Sequence, residues 1–205
     1  METNIGITKD PVFTPRNLLI VAVIVSAVTG GNLWLHRGDP PVGYGRYADF
    51  GFTLDYSLQK TISVEGFGWE PTESGGIVTV AFQGMGLDQY GVIWIAPESM
   101  PTSMRNLEGS LEYIFGLIGM DGTVIANLGL PMSMTKDGHD MVYKTWNLME
   151  SGFAVPGIIG TWYCEDAGKY LSFYMLYLPD LANPTVDPQV LAQKWGGYLD
   201  QISCP

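Results

Sequence analysis

Charge is scarce in this chain: Asp, Glu, Lys and Arg together make up 15% of its 205 residues. Cations are scarcer still, ten Lys+Arg against twenty-one Asp+Glu, giving a formal net charge of −11 and a pI near 4.4. A chain this acidic repels phosphate backbones, which argues against nucleic acid as a partner. Histidine and cysteine occur only twice each. Two cysteines exclude a structural zinc site and a dense disulfide scaffold, and leave room for one bridge. Any Ser-His-Asp or Cys-His site must use His36 or His139. There is no phosphate loop, because Gly84-Met85-Gly86 lacks a third Gly, a Lys and a following helix. Disorder is excluded as well, since 46% of the residues are hydrophobic and the mean hydropathy is +0.13.

Long apolar runs are also rare, and the one present stands near the front. Residues 18–28 read Leu-Leu-Ile-Val-Ala-Val-Ile-Val-Ser-Ala-Val without a charge, and Leu33, Trp34 and Leu35 resume the pattern after Thr29-Gly30-Gly31-Asn32. Arg16 and His36 bracket nineteen uncharged residues. As a helix they rise about 28 Å, enough to span a hydrocarbon core of roughly 30 Å. The expectation is a transmembrane helix over 17–35, with Arg16 and Trp34 at the membrane interface. Two other readings stay open. A signal peptide would use Arg16 as its n-region and the small residues 27–31 as its cleavage site, and a buried core helix would need a polar face that is missing. Residues 1–16 are then a short tail, and 36–46, with Gly38-Asp39-Pro40-Pro41, a stalk of Pro and Gly.

From Tyr47 onward, short β-type runs alternate with turn chemistry. Phe52, Leu54, Tyr56 and Leu58 alternate with polar residues, as in a half-buried strand. Runs 62–67, 77–83 and 90–96 follow, the last two apolar at nearly every position, as in strands buried on both faces. Met104, Leu107, Leu111, Ile114, Phe115 and Ile118 recur at helical spacing, with Thr102 or Ser103 as N-cap. A weak strand is expected over 122–128, a stronger one over 141–149, and a hairpin of 158–165 with 169–178 around Asp166-Ala167-Gly168. Asp187-Pro188 opens a second helix whose stripe is Leu191, Trp195, Tyr198 and Ile202. The expected architecture is α+β, an antiparallel sheet sandwiched between helices over 47–205.

The element order, with Tyr47-Ala48-Asp49-Phe50-Gly51-Phe52-Thr53-Leu54, Gly138-His139-Asp140-Met141-Val142-Tyr143 and Gly160-Thr161-Trp162-Tyr163-Cys164, resembles the PsbP family and its prokaryotic relatives. Plant members of that family are extrinsic subunits on the lumenal side of photosystem II. The resemblance covers about 47–204 and is topological more than motif-based. Tyr56-Ser57-Leu58 stands where the family's first strand usually reaches a Pro, and the plant proteins lack the anchor. A photosystem role is therefore not carried over; what the resemblance implies is an accessory subunit packed against integral membrane protein subunits.

Little in the chain speaks for catalysis, and neither an enzyme activity nor a cofactor is expected. His139 lies in the polar tip Lys136-Asp137-Gly138-His139-Asp140, where a solvated histidine is the ordinary outcome. Asp137, His139 and Asp140 are the candidate ligands for a divalent ion, although calcium usually takes six. That alternative, an extracytoplasmic cation- or small-ligand-binding module, draws on six Lys+Arg against eighteen Asp+Glu from Tyr47 onward. A surface or filament protein is a third reading. Cys164 and Cys204 are the candidate disulfide, expected to tie the final helix to the sheet and to place the domain outside the cytoplasm.

Overall fold

Tight turns set the strand pairings. In the computed structural model, which describes residues 40–67, 70–81, 88–119, 124–126, 128–150, 153–177 and 188–204, two hairpins close on a pair of positive-φ residues. Asp137 (φ 50°) and Gly138 (φ 87°) join β7 (Met132–Lys136) to β8 (His139–Glu150), the geometry that a two-residue type I′ turn requires. Phe50 (φ 52°) and Gly51 (φ 85°) do the same between β1 (Tyr44–Asp49) and β2 (Phe52–Ser57). Phe50 is a bulky residue in the left-handed region, held there as its ring stacks on Trp94 at 4.5 Å. The apolar run 18–28, Arg16 and Trp34 lie outside the described residues; among those described, no helix is long and apolar enough to cross a membrane.

The remaining strands are β3 (Thr61–Glu65), β4 (Gly75–Ala81), β5 (Gln89–Ile95), β6 (Val124–Ala126), β9 (Phe153–Cys164), β10 (Lys169–Leu176) and β11 (Ile202–Ser203). Eight of the strands form one antiparallel sheet in the order β3-β4-β5-β10-β9-β8-β6, with β7 also paired to β8. A second sheet of three has the order β1-β2-β11. Among the described residues the α-helices are α1 (Leu107–Gly119) and α2 (Pro188–Leu199).

The central strands are buried on both faces, as their unbroken apolar runs require. Along β5, Tyr90, Val92 and Trp94 join one core while Ile93 and Ile95 join the other. Along β10, Leu171, Phe173 and Met175 alternate with Tyr170, Tyr174 and Leu176 in the same way. Leu111, Ile114 and Phe115 of α1 close one face. Leu191, Trp195 and Leu199 of α2 close the other together with Phe52, Leu54 and Ile202 of the small sheet. The sheet thus lies between helical layers, as expected, but one layer is shared with three strands.

Several boundaries differ from the sequence reading. Tyr44, Gly45 and Arg46, assigned there to the stalk, begin β1, because each pairs across to β2 and Arg46 forks onto Asp55 (Nε–Oδ1 2.6 Å, Nη2–Oδ2 2.8 Å). The cap of α1 is Asn106, whose Oδ1 accepts the Gly109 N–H at 2.9 Å, not Thr102 or Ser103, which form a separate 3₁₀ turn. Ile202 belongs to a strand pairing with Leu54, so α2 ends at Leu199. The strand β7 went unread because its residues are mostly exposed and only its pairing with β8 defines it.

Candidate functional site

The predicted bridge is present. Cys164, at the end of β9, is bonded to Cys204, with Cα atoms 5.9 Å apart, inside the range a disulfide needs. Cys204 follows β11 rather than ending a helix, so the bond ties the small sheet's last strand to the large sheet.

The candidate ion ligands fare differently. His139 and Asp140 are consecutive in β8, where neighbouring side chains point to opposite faces, and Asp137 is in the turn. Their partners also diverge. Asp137 pairs with Lys136, while His139 Nδ1 lies 2.8 Å from Glu165 Oε2. Among the described residues, no three His, Cys, Asp or Glu side chains are grouped to hold a metal. Glu165 and Asp166 sit in the turn before β10, and the buried Lys169 Nζ donates to Phe50 O at 3.0 Å and pairs with Glu73. This end of the domain is a set of hairpin turns tied to one another.

The opposite end holds a denser cluster, which the sequence reading missed. Lys60, in the turn after β2, is 7% exposed, and its ammonium lies 4.2 Å from the Tyr90 ring centre and 4.1 Å from that of Tyr198. The two rings stack at 4.2 Å with 17° between their planes. Asp88, itself buried, receives Lys194 Nζ at 2.8 Å and the Tyr198 hydroxyl at 3.0 Å on the same oxygen. The Tyr90 hydroxyl donates to Gln201 Oε1 at 3.1 Å, and Lys194 lies 5.1 Å over the Tyr177 ring. Three parts of the fold therefore meet here: the β2–β3 turn, the start of β5, and α2.

Burial sets the electrostatics. It pushes the Lys60 ammonium down to about 8, with Lys194 adding to the effect and Asp88 opposing it. Tyr198 is raised by burial and then by the Asp88 carboxylate; Tyr90 is raised by burial first. A lysine so shifted has the basicity of a nucleophile or general base. Here the amine is buried against the faces of two tyrosine rings. The arrangement is a cation–π clamp that fixes α2 to the sheet. No local spacing signals it, because its members come from residues 60, 88, 90, 194, 198 and 201, joined only by the fold.

No family model matches this chain, and no curated protein matches it by sequence. Among solved structures it is similar to cyanobacterial PsbP (CyanoP) from Synechocystis sp. PCC 6803, at 10% identity and a TM-score of 0.53. The likeness covers 88% of this chain and 99% of that one. The layered sheet, its two helices and the three-strand cover together make this the PsbP-like fold.

Proposed function

We propose that this chain is a non-enzymatic accessory protein, anchored by residues 17–35 and packed on the outer face of a larger membrane complex. The PsbP-like fold is the observation that carries the reading. The clamp around Lys60 supports it, since the most perturbed cation of the described residues is spent on holding α2. The Cys164–Cys204 bond supports an extracytoplasmic address, because such bonds persist in oxidising compartments. The partners would be integral membrane subunits, which a short stalk keeps within reach of the domain.

The test is isolation of the tagged full chain from its native membranes in mild detergent. A stoichiometric set of integral membrane subunits should travel with it through size exclusion. Elution as a lone monomer, with the membranes otherwise intact, would sink the reading.

A further inference from the structure

Two aliphatic side chains stand in solvent at the end of the domain where the described chain begins. Val42 is 104% exposed and Leu58 65%. The Leu58 N–H donates to Gly43 O at 3.0 Å, which sets Leu58 across from the residue that follows Val42, so both lie at the open end of the β1–β2 hairpin. Single exposed aliphatics are ordinary on a protein surface. The position of this pair is what distinguishes it. Only six residues separate Val42 from Leu35, the end of the apolar run. Even fully extended, that tether keeps Val42 within about 25 Å of Leu35.

The charge pattern points the same way. Pro40, Pro41, Val42, Gly43 and Tyr44, with Ser57, Leu58 and Gln59 across from them, carry no charge in a protein of net −11. Of the ionic side chains nearest to it, Arg46 pairs with Asp55, Asp88 with Lys194, and Lys60 is buried against the Tyr90 and Tyr198 rings, while Asp200 is exposed. Exposed acids gather at the far end, where the 50–51 turn meets Glu73, Glu165 and Asp166. An acidic domain approaching a lipid surface meets less repulsion with this sparsely charged tip first than with its acidic turns. Val42 and Leu58 then exchange water for the headgroup region, and Tyr44 is a residue favoured there.

We infer that the tip formed by Val42 and Leu58 seats in the headgroup region of the bilayer crossed by residues 17–35, holding the domain end-on with its acidic turns facing away. This rests on the anchored reading above. The test reconstitutes the full chain into phosphatidylcholine–phosphatidylglycerol vesicles containing doxyl-labelled lipid. An environment-sensitive fluorophore is placed by Val42→Cys, Leu58→Cys or, as a control at the far end, Thr135→Cys. All three positions are intermediate to exposed or fully exposed, and melting curves confirm that each variant folds. Labels at 42 and 58 should lie about 5–10 Å into the interface. They should be blue-shifted and quenched several-fold more than the label at 135. Adding Leu58→Asp to the chain labelled at 42 should return its quenching to the control level. Vesicles that float with the protein while all three labels are quenched equally would leave the anchor standing and overturn the seated tip. Failure of the chain to float at all would overturn both. A label at 42 that stays quenched with Leu58→Asp would show that the apolar pair does not hold this end.

Discussion

At the scale of single residues, Lys60 is where folding and titration meet. Its ammonium is more costly to hold in the folded protein than in water, which is what a value of about 8 against an ordinary 10.5 expresses. Between those values the unfolded chain binds more protons than the folded one, so this group makes stability rise with pH. Its contribution is full above about 10.5 and is lost as the pH falls through about 8. The tyrosines act in the opposite sense. Tyr90 and Tyr198 are raised by burial, so the unfolded chain ionises first and stability falls above about pH 10. The melting temperature should therefore climb between pH 8 and 10 and then drop. Lys60→Met should flatten the climb and leave the drop, as read by thermal scans at constant ionic strength. An unchanged climb in the variant would show that Lys60 is not its source. Asp88→Asn tests the same cluster from its anionic side. It removes a charged acceptor shared by Lys194 and Tyr198, and should cost about 1.5–3 kcal/mol in urea unfolding.

At the scale of elements, the sheet's centre has no slack and its edges are held from elsewhere. Gly91 sits in β5 where a Cβ would run into the Val78 carbonyl oxygen of the neighbouring strand and meet the Tyr174 hydroxyl at 3.0 Å. Gly91→Ala should therefore part β4 from β5 and destabilise by about 3 kcal/mol or more, a large effect for one methyl group. A loss under 0.5 kcal/mol in denaturant titration would mean the strands separate easily. The strand β11 depends on its bond instead. Two residues of pairing with β2 cannot hold it alone, and the Cys164–Cys204 link, 40 residues apart, stabilises by about 4 kcal/mol in the loop-entropy account. Cys204→Ser should lower the melting temperature by about 10 °C, with amides of β11 and α2 exchanging hydrogen before those of β10. The same elements show why reading the sequence succeeded where it did. β4, β5, β9 and β10 announce themselves because burial on both faces leaves apolar residues at nearly every position. β1 carries a glycine, an arginine and an aspartate among its six residues, and β7 exposes four of its five, so neither has a periodic signal of its own. Pro156 argues against a strand, yet β9 runs through it just beyond the register where β10 pairs, at Gly157.

At the scale of the molecule, the fold was legible and its densest cluster was not. Helical spacing and turn residues are local facts, whereas the Lys60 clamp needs residues from three distant segments and appears only when the chain closes. The disulfide lies between these extremes. Two cysteines leave a single possible intramolecular pair, and only the folded geometry shows that β11, not a helix end, carries Cys204. The two cores also say which part of the chain a folded fragment must keep. Their members, buried and half-buried, run from Tyr47 to Cys204, with α1 and α2 closing the two faces. A chain beginning at Gly38 retains every one of them, together with β1 and the bridge. We expect this fragment to fold, to unfold in one cooperative transition, and to melt within about 2 °C of the full chain in detergent, since it keeps every core residue found among the described residues. It should also remain in the supernatant when the full chain floats with vesicles, because two aliphatic side chains alone give only weak, reversible attachment. A fragment that is unfolded by circular dichroism would show that residues 1–37 contribute to the core. One that folds and still floats would move the membrane contact from the apolar run to the domain itself.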